Sequence, residues 1–221
     1  MKRVVVSWSS GKDCAWTIMV LKQIAEVDIV GLLTTFDEAT DLVGMHGVRR
    51  EMVELQAAAL GLPLQAVPIP WPCSNSEYES RMRHALEQLR TDRVTHIAFG
   101  DLFLQDVREY RERQLHGSGI EPLFPLWGPE SATRSLAERM QSSGVRAVVT
   151  CVDPKPTPAA LVGREWNLAN LPESVDPCGE RGEFHTFCYA GPMFTHPIPI
   201  HVGNTETRGG FVFADILKGA T

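Results

Sequence analysis

The stretch Val4-Val5-Val6-Ser7-Trp8-Ser9-Ser10-Gly11-Lys12-Asp13-Cys14 constrains this chain more than any other. An apolar, β-branched run suits a strand buried on both faces, and such strands belong to parallel sheets covered by helices. The run then passes through small hydroxyl residues and one glycine to an acidic residue that opens a helical pattern. A buried strand that feeds a helix N-terminus through Ser-Ser-Gly makes an anion site. Small residues let the backbone approach a ligand, free N–H groups point at it, and the helix dipole favours negative charge. Lys12 adds a mobile positive charge. The stretch reads as a phosphate-binding loop for a nucleotide.

The following chain alternates strand and helix. A helix is expected over 13–26, with Trp16, Met19, Val20, Gln23 and Ile24 as its stripe. A near-continuously apolar strand over 29–36 ends in Thr34-Thr35-Phe36. A helix over 48–60 stops at Gly61, and a strand over 64–69 follows. The next helix spans 76–90, opened by a capping box at Ser76-Glu77-Tyr78-Glu79. A strand over 94–99 carries Gly100-Asp101 at its carboxyl end. A charged helix over 104–115, a proline-bearing edge strand over 121–127, a helix over 130–141 and a strand over 145–152 complete the run.

This pattern predicts an α/β protein with an open, doubly wound parallel sheet of Rossmann-like type. Ligands on such a sheet bind beyond the carboxyl ends of the strands. Ser9 to Asp13, Thr34-Thr35-Phe36 and Gly100-Asp101 should therefore converge on a cofactor. Pro154, Pro156 and Pro158 mark a joint. Beyond it, a short helix over 163–168 and strands over 182–189 and 210–216 suggest a small C-terminal α+β subdomain. The expected division is a nucleotide-binding domain over 1–152 and a substrate or lid subdomain over 153–221.

At 221 residues and 43% apolar content the chain is ample for a packed core. A formal charge of −6 makes it a poor polyanion binder, so no strong nucleic-acid signal is present. No apolar run of about 18 residues suggests a membrane span, and the N-terminus does not read as a leader. Five cysteines, odd and sparse, point to reduced thiols and a cytoplasmic setting.

A Walker loop is excluded, because Lys12 is followed by Asp13 and no glycine lies five residues before Gly11. The dinucleotide glycine pattern is also absent. What remains resembles the S-G-G-K-D-S pyrophosphatase loop (PP-loop) of the N-type ATP pyrophosphatases. Ser9, Gly11, Lys12 and Asp13 match; Ser10 replaces a glycine and Cys14 the final serine. Ser10 is expected to be tolerated with a negative φ, and Cys14 to contribute a backbone N–H. The resemblance implies a grip on the β- and γ-phosphates of ATP, cleavage between the α- and β-phosphates, and a need for Mg²⁺.

Longer motifs narrow the family. Cys178-Gly179-Glu180-Arg181-Gly182-Glu183-Phe184-His185-Thr186-Phe187, then Gly191-Pro192-Met193-Phe194, are similar to the C-terminal signature of the diphthine–ammonia ligase family. Pro125-Leu126-Trp127, after the charged helix that follows Gly100-Asp101, fits the same pattern. Met45 to Arg49 and Phe99 to Phe103 resemble a shorter, bacterial-type branch. The resemblance implies adenylation of a carboxylate, attack by ammonia, and release of AMP and pyrophosphate. The acceptor is left open between a protein side chain and a small molecule, and a homodimer stays open.

The chemistry-bearing residues follow. Lys12 should neutralise charge on the phosphates. Asp13 either binds Mg²⁺ or complements the helix N-terminus. Asp101 serves a metal or a substrate amine, or caps the next helix. Glu180 and Glu183 position ammonium, deprotonate it or help hold Mg²⁺, or are solvated acids of a hairpin loop. His46 and Arg49 bind phosphate or the substrate carboxylate, or form a solvated first turn. Arg108 pairs with Glu112 along its helix, and the family pattern makes it a substrate-binding candidate. His185 with Cys178 and Cys188 matches no usual zinc spacing, and His185 reads as a packing residue. Two rival readings are a tRNA-modifying PP-loop enzyme, which should carry a basic extension, and a non-catalytic ATP-binding module, which needs no acidic loop beside the phosphates.

Overall fold

The apolar run at 4–6 forms the middle strand of a five-stranded parallel sheet. The computed structural model describes residues 1–220. In chain order the strands of this sheet are β1 (Lys2–Ser7), β2 (Val27–Asp37), β5 (Leu64–Ile69), β6 (His96–Ala98) and β7 (Glu121–Leu123). Their spatial order is β5-β2-β1-β6-β7, with every neighbouring pair parallel. The chain winds outward from β1 on one side, then returns and winds outward on the other. The topological switch lies between β1 and β6, as the doubly wound reading requires. Val4, Val5 and Val6 are at most 2% exposed, which explains the unbroken apolar run. Pro122 sits on edge strand β7, where a missing N–H does least harm.

Helices α1 (Lys12–Leu21), α2 (Arg50–Leu60), α3 (Asn75–Thr91), α4 (Gln105–Leu115) and α5 (Thr133–Ser142) occupy the connections. Helix α1 is shorter than the sequence suggests, and its buried face is Cys14, Ala15, Ile18 and Leu21 rather than the expected stripe. The reason is that α1 is covered by β1, by β2 and by a strand of a second sheet, so more than one face is apolar. Ile24 lies past the helix and is exposed. Helix α3 begins earlier than the expected box: Ser74 Oγ accepts from the Glu77 N–H at 3.2 Å. A hairpin of two short strands, β3 (Leu42–Val43) with β4 (Val48–Arg49), precedes α2, so the first two residues of the helix expected over 48–60 are strand. Among the described residues no helix is long and apolar enough to cross a membrane.

The strand at 145–152 does not join the parallel sheet. As β8 (Arg146–Val152) it pairs antiparallel with β9 (Phe184–Ala190) and with β11 (Phe211–Lys218). Together with β10 (Ile200–Arg208) they form a four-stranded sheet in the order β10-β11-β8-β9. A fully buried strand looks alike in either kind of sheet, so its apolar run carried no hint of direction. The expected helix over 163–168 is absent. Gly163 and Arg164 exchange backbone bonds with Val149, and Glu165 bridges to Val148, so this segment runs beside β8. β10 was missed because much of it is exposed and polar.

One apolar cluster spans both sheets, from Val4, Trp8 and Ile18 through Met140 to Val149, Phe187 and Ile216. A second, smaller cluster lies under α3 and includes Val5, Leu33, Leu86, Leu89, Ile97 and Phe99. The C-terminal sheet is thus built onto the parallel one, and β9 passes directly beside the loop that follows β1.

Candidate active site

The loop after β1 is held from outside. Trp8 N–H donates to the Leu33 carbonyl at 2.8 Å. The Ser10 carbonyl accepts from Cys188 N–H and from Gln56 Nε2, each at 2.9 Å. Ser10 has φ 74°, contrary to the negative value expected. A left-handed serine costs roughly 1–2 kcal/mol, and the two bonds to its carbonyl hold it there. Its Oγ is buried without a partner. Lys12 N–H, in the first turn of α1, donates to Thr186 Oγ1 at 3.2 Å. Among the described residues nothing in the chain accepts from the amides of Ser9, Ser10, Gly11, Asp13 or Cys14. Unpaired amides at a helix start suit phosphate oxygens. Gly100 leans on this turn: a Cβ there would lie 3.0 Å from the Cys14 nitrogen.

Lys12 is not mobile. Its side chain is 1% exposed, and Nζ donates to both Asp13 oxygens at 2.9 and 3.1 Å and to the Cys178 carbonyl. Nζ also lies over the rings of Trp166 and Phe184, 5.2 and 5.3 Å from their centroids. Burial is the strongest single influence and works against its charge, but Asp13, Cys178 and Asp176 together outweigh it and raise the amine above its ordinary value. With both its oxygens on Lys12, Asp13 offers little to a metal.

Two cavities meet over the loop. The first, about 240 Å³, is walled by Trp8, Leu33, Met82, Leu86 and Phe99. Thr35, Tyr78 and Tyr110 add polar tips to it. The second, about 250 Å³, lies over α1 and is lined by Ser9, Lys12, Asp13, Asp101, Glu180 and His185. Ser9, His46, Phe99 and Arg111 line both.

Glu180 faces the second cavity. One of its oxygens accepts from the Leu102 N–H at 2.7 Å. Burial, reinforced by Asp13 and Asp101, pushes its carboxyl up to about 7. Burial also raises Asp101, against the pull of Arg111 at 3.4 Å. The segment 176–183 that carries Glu180 is shaped by two other acids. Asp176 accepts from the Cys178 and Glu180 N–H groups at 2.9 and 3.2 Å. Glu183 accepts from the Asp176 and Arg181 N–H groups at 3.1 and 3.0 Å. Glu183 is buried and lines neither cavity; it braces the segment that carries Glu180. Gly179, at φ 73°, has no room for a Cβ, which would lie 2.7 Å from the Phe184 carbonyl oxygen.

The other expected residues divide. Thr35, Gly100 and His46 line the cavities. Thr34 Oγ1 donates to the Trp8 carbonyl at 2.7 Å and supports the loop from beneath. Phe36 is core, with the Arg50 guanidinium over its ring. Arg49 forks onto Asp215 at 2.8 and 2.6 Å, which ties β4 to β11. Arg108 bonds Glu112 at 2.9 Å and stacks on Phe124 and Trp127. Neither of these two arginines lines a cavity. Arg111 does, and sequence reasoning missed it. Leu104, Val107 and Arg111 fall on one face of α4, a spacing that could have singled it out.

His46 and His185 stack with ring centroids 4.7 Å apart. His46 Nδ1 is 3.1 Å from the Thr186 carbonyl oxygen. Burial pushes His46 down to about 3 and His185 to about 4, so both are neutral at ordinary pH. Cys14, Cys178 and Cys188 are buried, and burial raises their thiols. Among the described residues no three His, Cys, Asp or Glu side chains are grouped so as to hold a metal ion. The arrangement fits Mg²⁺ only as an ion carried largely by phosphate oxygens and water, with Asp101 or Glu180 at its margin.

Residues 1–122 match the family model of the diphthamide synthase N-terminal domain. Similar proteins include a diphthine–ammonia ligase of Danio rerio, 27% identical over 241 residues, covering 97% of this chain and 92% of that protein. A diphthine–ammonia ligase of Bos taurus is 25% identical over 240 residues, covering 97% of this chain and 88% of its own length.

Proposed function

The chain belongs to the diphthamide synthase N-terminal domain family, and from that membership and its site we propose that it is an ATP-dependent, AMP-forming carbon–nitrogen ligase. It activates a carboxylate as an acyl adenylate and amidates it with ammonia. The observation that carries this reading is what the second cavity brings together. Ser9, Asp13 and Cys14, whose amides have no acceptor among the described residues, line it with the carboxyl-bearing Asp101 and Glu180. The first cavity, apolar with hydroxyl tips, has the size and character for a purine nucleoside.

The acceptor carboxylate oxygen attacks the α-phosphorus, and the bond to the bridging oxygen breaks toward the leaving pyrophosphate. Ammonia then attacks the acyl carbon, and the bond to AMP breaks. The amide nitrogen must shed a proton in this step, and Glu180 is placed to take it. A carboxyl near 7 is poised between holding and releasing a proton at neutral pH. Arg111, at the junction of the cavities, is suited to an α-phosphate oxygen. Mg²⁺ would enter with the triphosphate and screen its charge. In this reading the parallel sheet binds the nucleotide, and the chain beyond residue 152 brings Glu180 to it. The acceptor is a carboxylate of a protein side chain or of a small molecule, and the setting is the cytoplasm.

The test is a product assay with ATP, Mg²⁺, an ammonium salt and a panel of carboxylates. The expected products are AMP and pyrophosphate in equal amounts, dependent on both ammonia and one acceptor. ADP and orthophosphate would overturn the α–β cleavage.

A further inference from the structure

A triphosphate carries several negative charges, and the side chain expected to meet them does not. The three protons of Lys12 Nζ are directed to the two Asp13 oxygens and the Cys178 carbonyl. Its charge helps at a distance, but it has no donor left to offer. Arg111 is partly engaged with Asp101. The second cavity is otherwise acidic, through Asp13, Asp101 and Glu180. Beyond Arg111 and the Mg²⁺ that would enter with the nucleotide, the cavity holds little positive charge free to meet the phosphates.

We propose that His46 and His185 form the charge-compensating wall of the triphosphate site, and that one of the two imidazoles takes up a proton as the phosphates bind. The inference rests on the reading of this cavity as an ATP site. The geometry supports it in three ways. His46 lies on the phosphate loop: a Cβ on Gly11 would come within 3.1 Å of His46 Cε1. The Thr186 carbonyl can only accept, so His46 Nδ1 carries the hydrogen and Nε2 presents a lone pair. A proton added at Nε2 leaves the Thr186 bond intact and turns the open edge of the ring into a donor. His185, stacked on His46, also lines the cavity, and among the described residues neither of its nitrogens has a partner in the chain.

The groups facing the pair are Lys12 and Asp13 from α1, Asp101 after β6, Arg111 from α4, and Cys178 and Glu180 from the segment before β9. Without nucleotide, burial and Lys12 disfavour imidazolium. An arriving phosphate reverses that balance, because an anion in a desolvated pocket favours the charged ring. Ring centroids only 4.7 Å apart hold the uptake to one proton, since a second imidazolium would sit against the first. The proton comes from solvent, and nothing is oxidised or reduced.

The experiment is calorimetric titration of the protein with magnesium–ATP, without acceptor, at about pH 6.5 in two buffers of different ionisation enthalpy. The expected uptake is at least about half a proton per nucleotide bound. Affinity should weaken as pH rises from about 6 to 8, by up to about tenfold per unit. Glu180 could also gain a proton, so the same titration is run on Glu180→Gln, where uptake should persist. In the double variant His46→Asn with His185→Asn uptake should fall to what Glu180 alone contributes, and with Glu180→Gln added to that variant it should vanish and affinity should become flat with pH. On the unmodified protein, the imidazole Cε1–H signals should show one ring becoming protonated when ATP is added, a readout independent of any variant's folding. Binding without uptake, or uptake abolished by Glu180→Gln and kept in the histidine variant, would overturn this inference and leave the ligase reading standing. Absence of ATP binding would overturn both.

Discussion

Glu180 is a carboxyl held where its charge is unwelcome. Its folded-state value of about 7 lies above the ordinary 4.5, so between those values the folded chain binds more protons than the unfolded one. Stability from this group is therefore fully present below about pH 4.5 and is lost as pH rises to 7 and beyond. Glu180→Gln removes the charged form. At about pH 8 the variant should be more stable than the parent by on the order of 1–3 kcal/mol, the gap closing toward pH 4.5, as read by urea denaturation. Amidation by this variant should fail while ATP binding is retained. Its neighbour Glu183 looks equivalent in the sequence, yet its oxygens brace the N–H groups of Asp176 and Arg181. Residue type and spacing could not separate the two, because only the turns at Gly179 and Gly182 decide which carboxyl faces the cavity.

At the scale of elements, the parallel sheet was legible and the second sheet was not. β1, β2 and β5 carry apolar runs with clear punctuation, and each lies within two residues of its expected place. β8 was seen as a strand but assigned to the wrong sheet, since its direction depends on β9, more than thirty residues on. The site divided along the same line. Ser9 to Cys14 and Gly100-Asp101 lie where the strand ends predict, whereas Arg49, singled out as a bidentate donor, and Arg108, singled out by the family pattern, are engaged in surface pairs. Gln56 on α2 carried no signal at all. It is wholly buried, accepts from Trp8 Nε1 at 2.8 Å and donates to the Ser10 and Cys188 carbonyls at 2.9 and 2.7 Å. It therefore joins the phosphate loop, α2 and β9. Gln56→Leu would leave the Trp8 indole N–H without its acceptor and take one donor from each of the Ser10 and Cys188 carbonyls, a cost of about 2 kcal/mol or more in denaturant unfolding, with ATP affinity falling alongside.

On the scale of the whole molecule, one apolar cluster runs through both sheets, so neither can expose its inner face without disturbing the other. The chain should unfold in a single transition, with backbone dichroism and tryptophan fluorescence changing together in urea; two separated midpoints would show instead that the sheets fold as independent units. The same closure accounts for Ser10. Its backbone curve is imposed by Gln56 and Cys188, partners 46 and 178 positions away, and not by the freedom of its own residue type. A pattern that insists on glycine at that position would pass over this chain, although the positive φ that glycine permits is present. Chains of this kind are better sought by the residues that grip the loop than by the spelling of the loop itself.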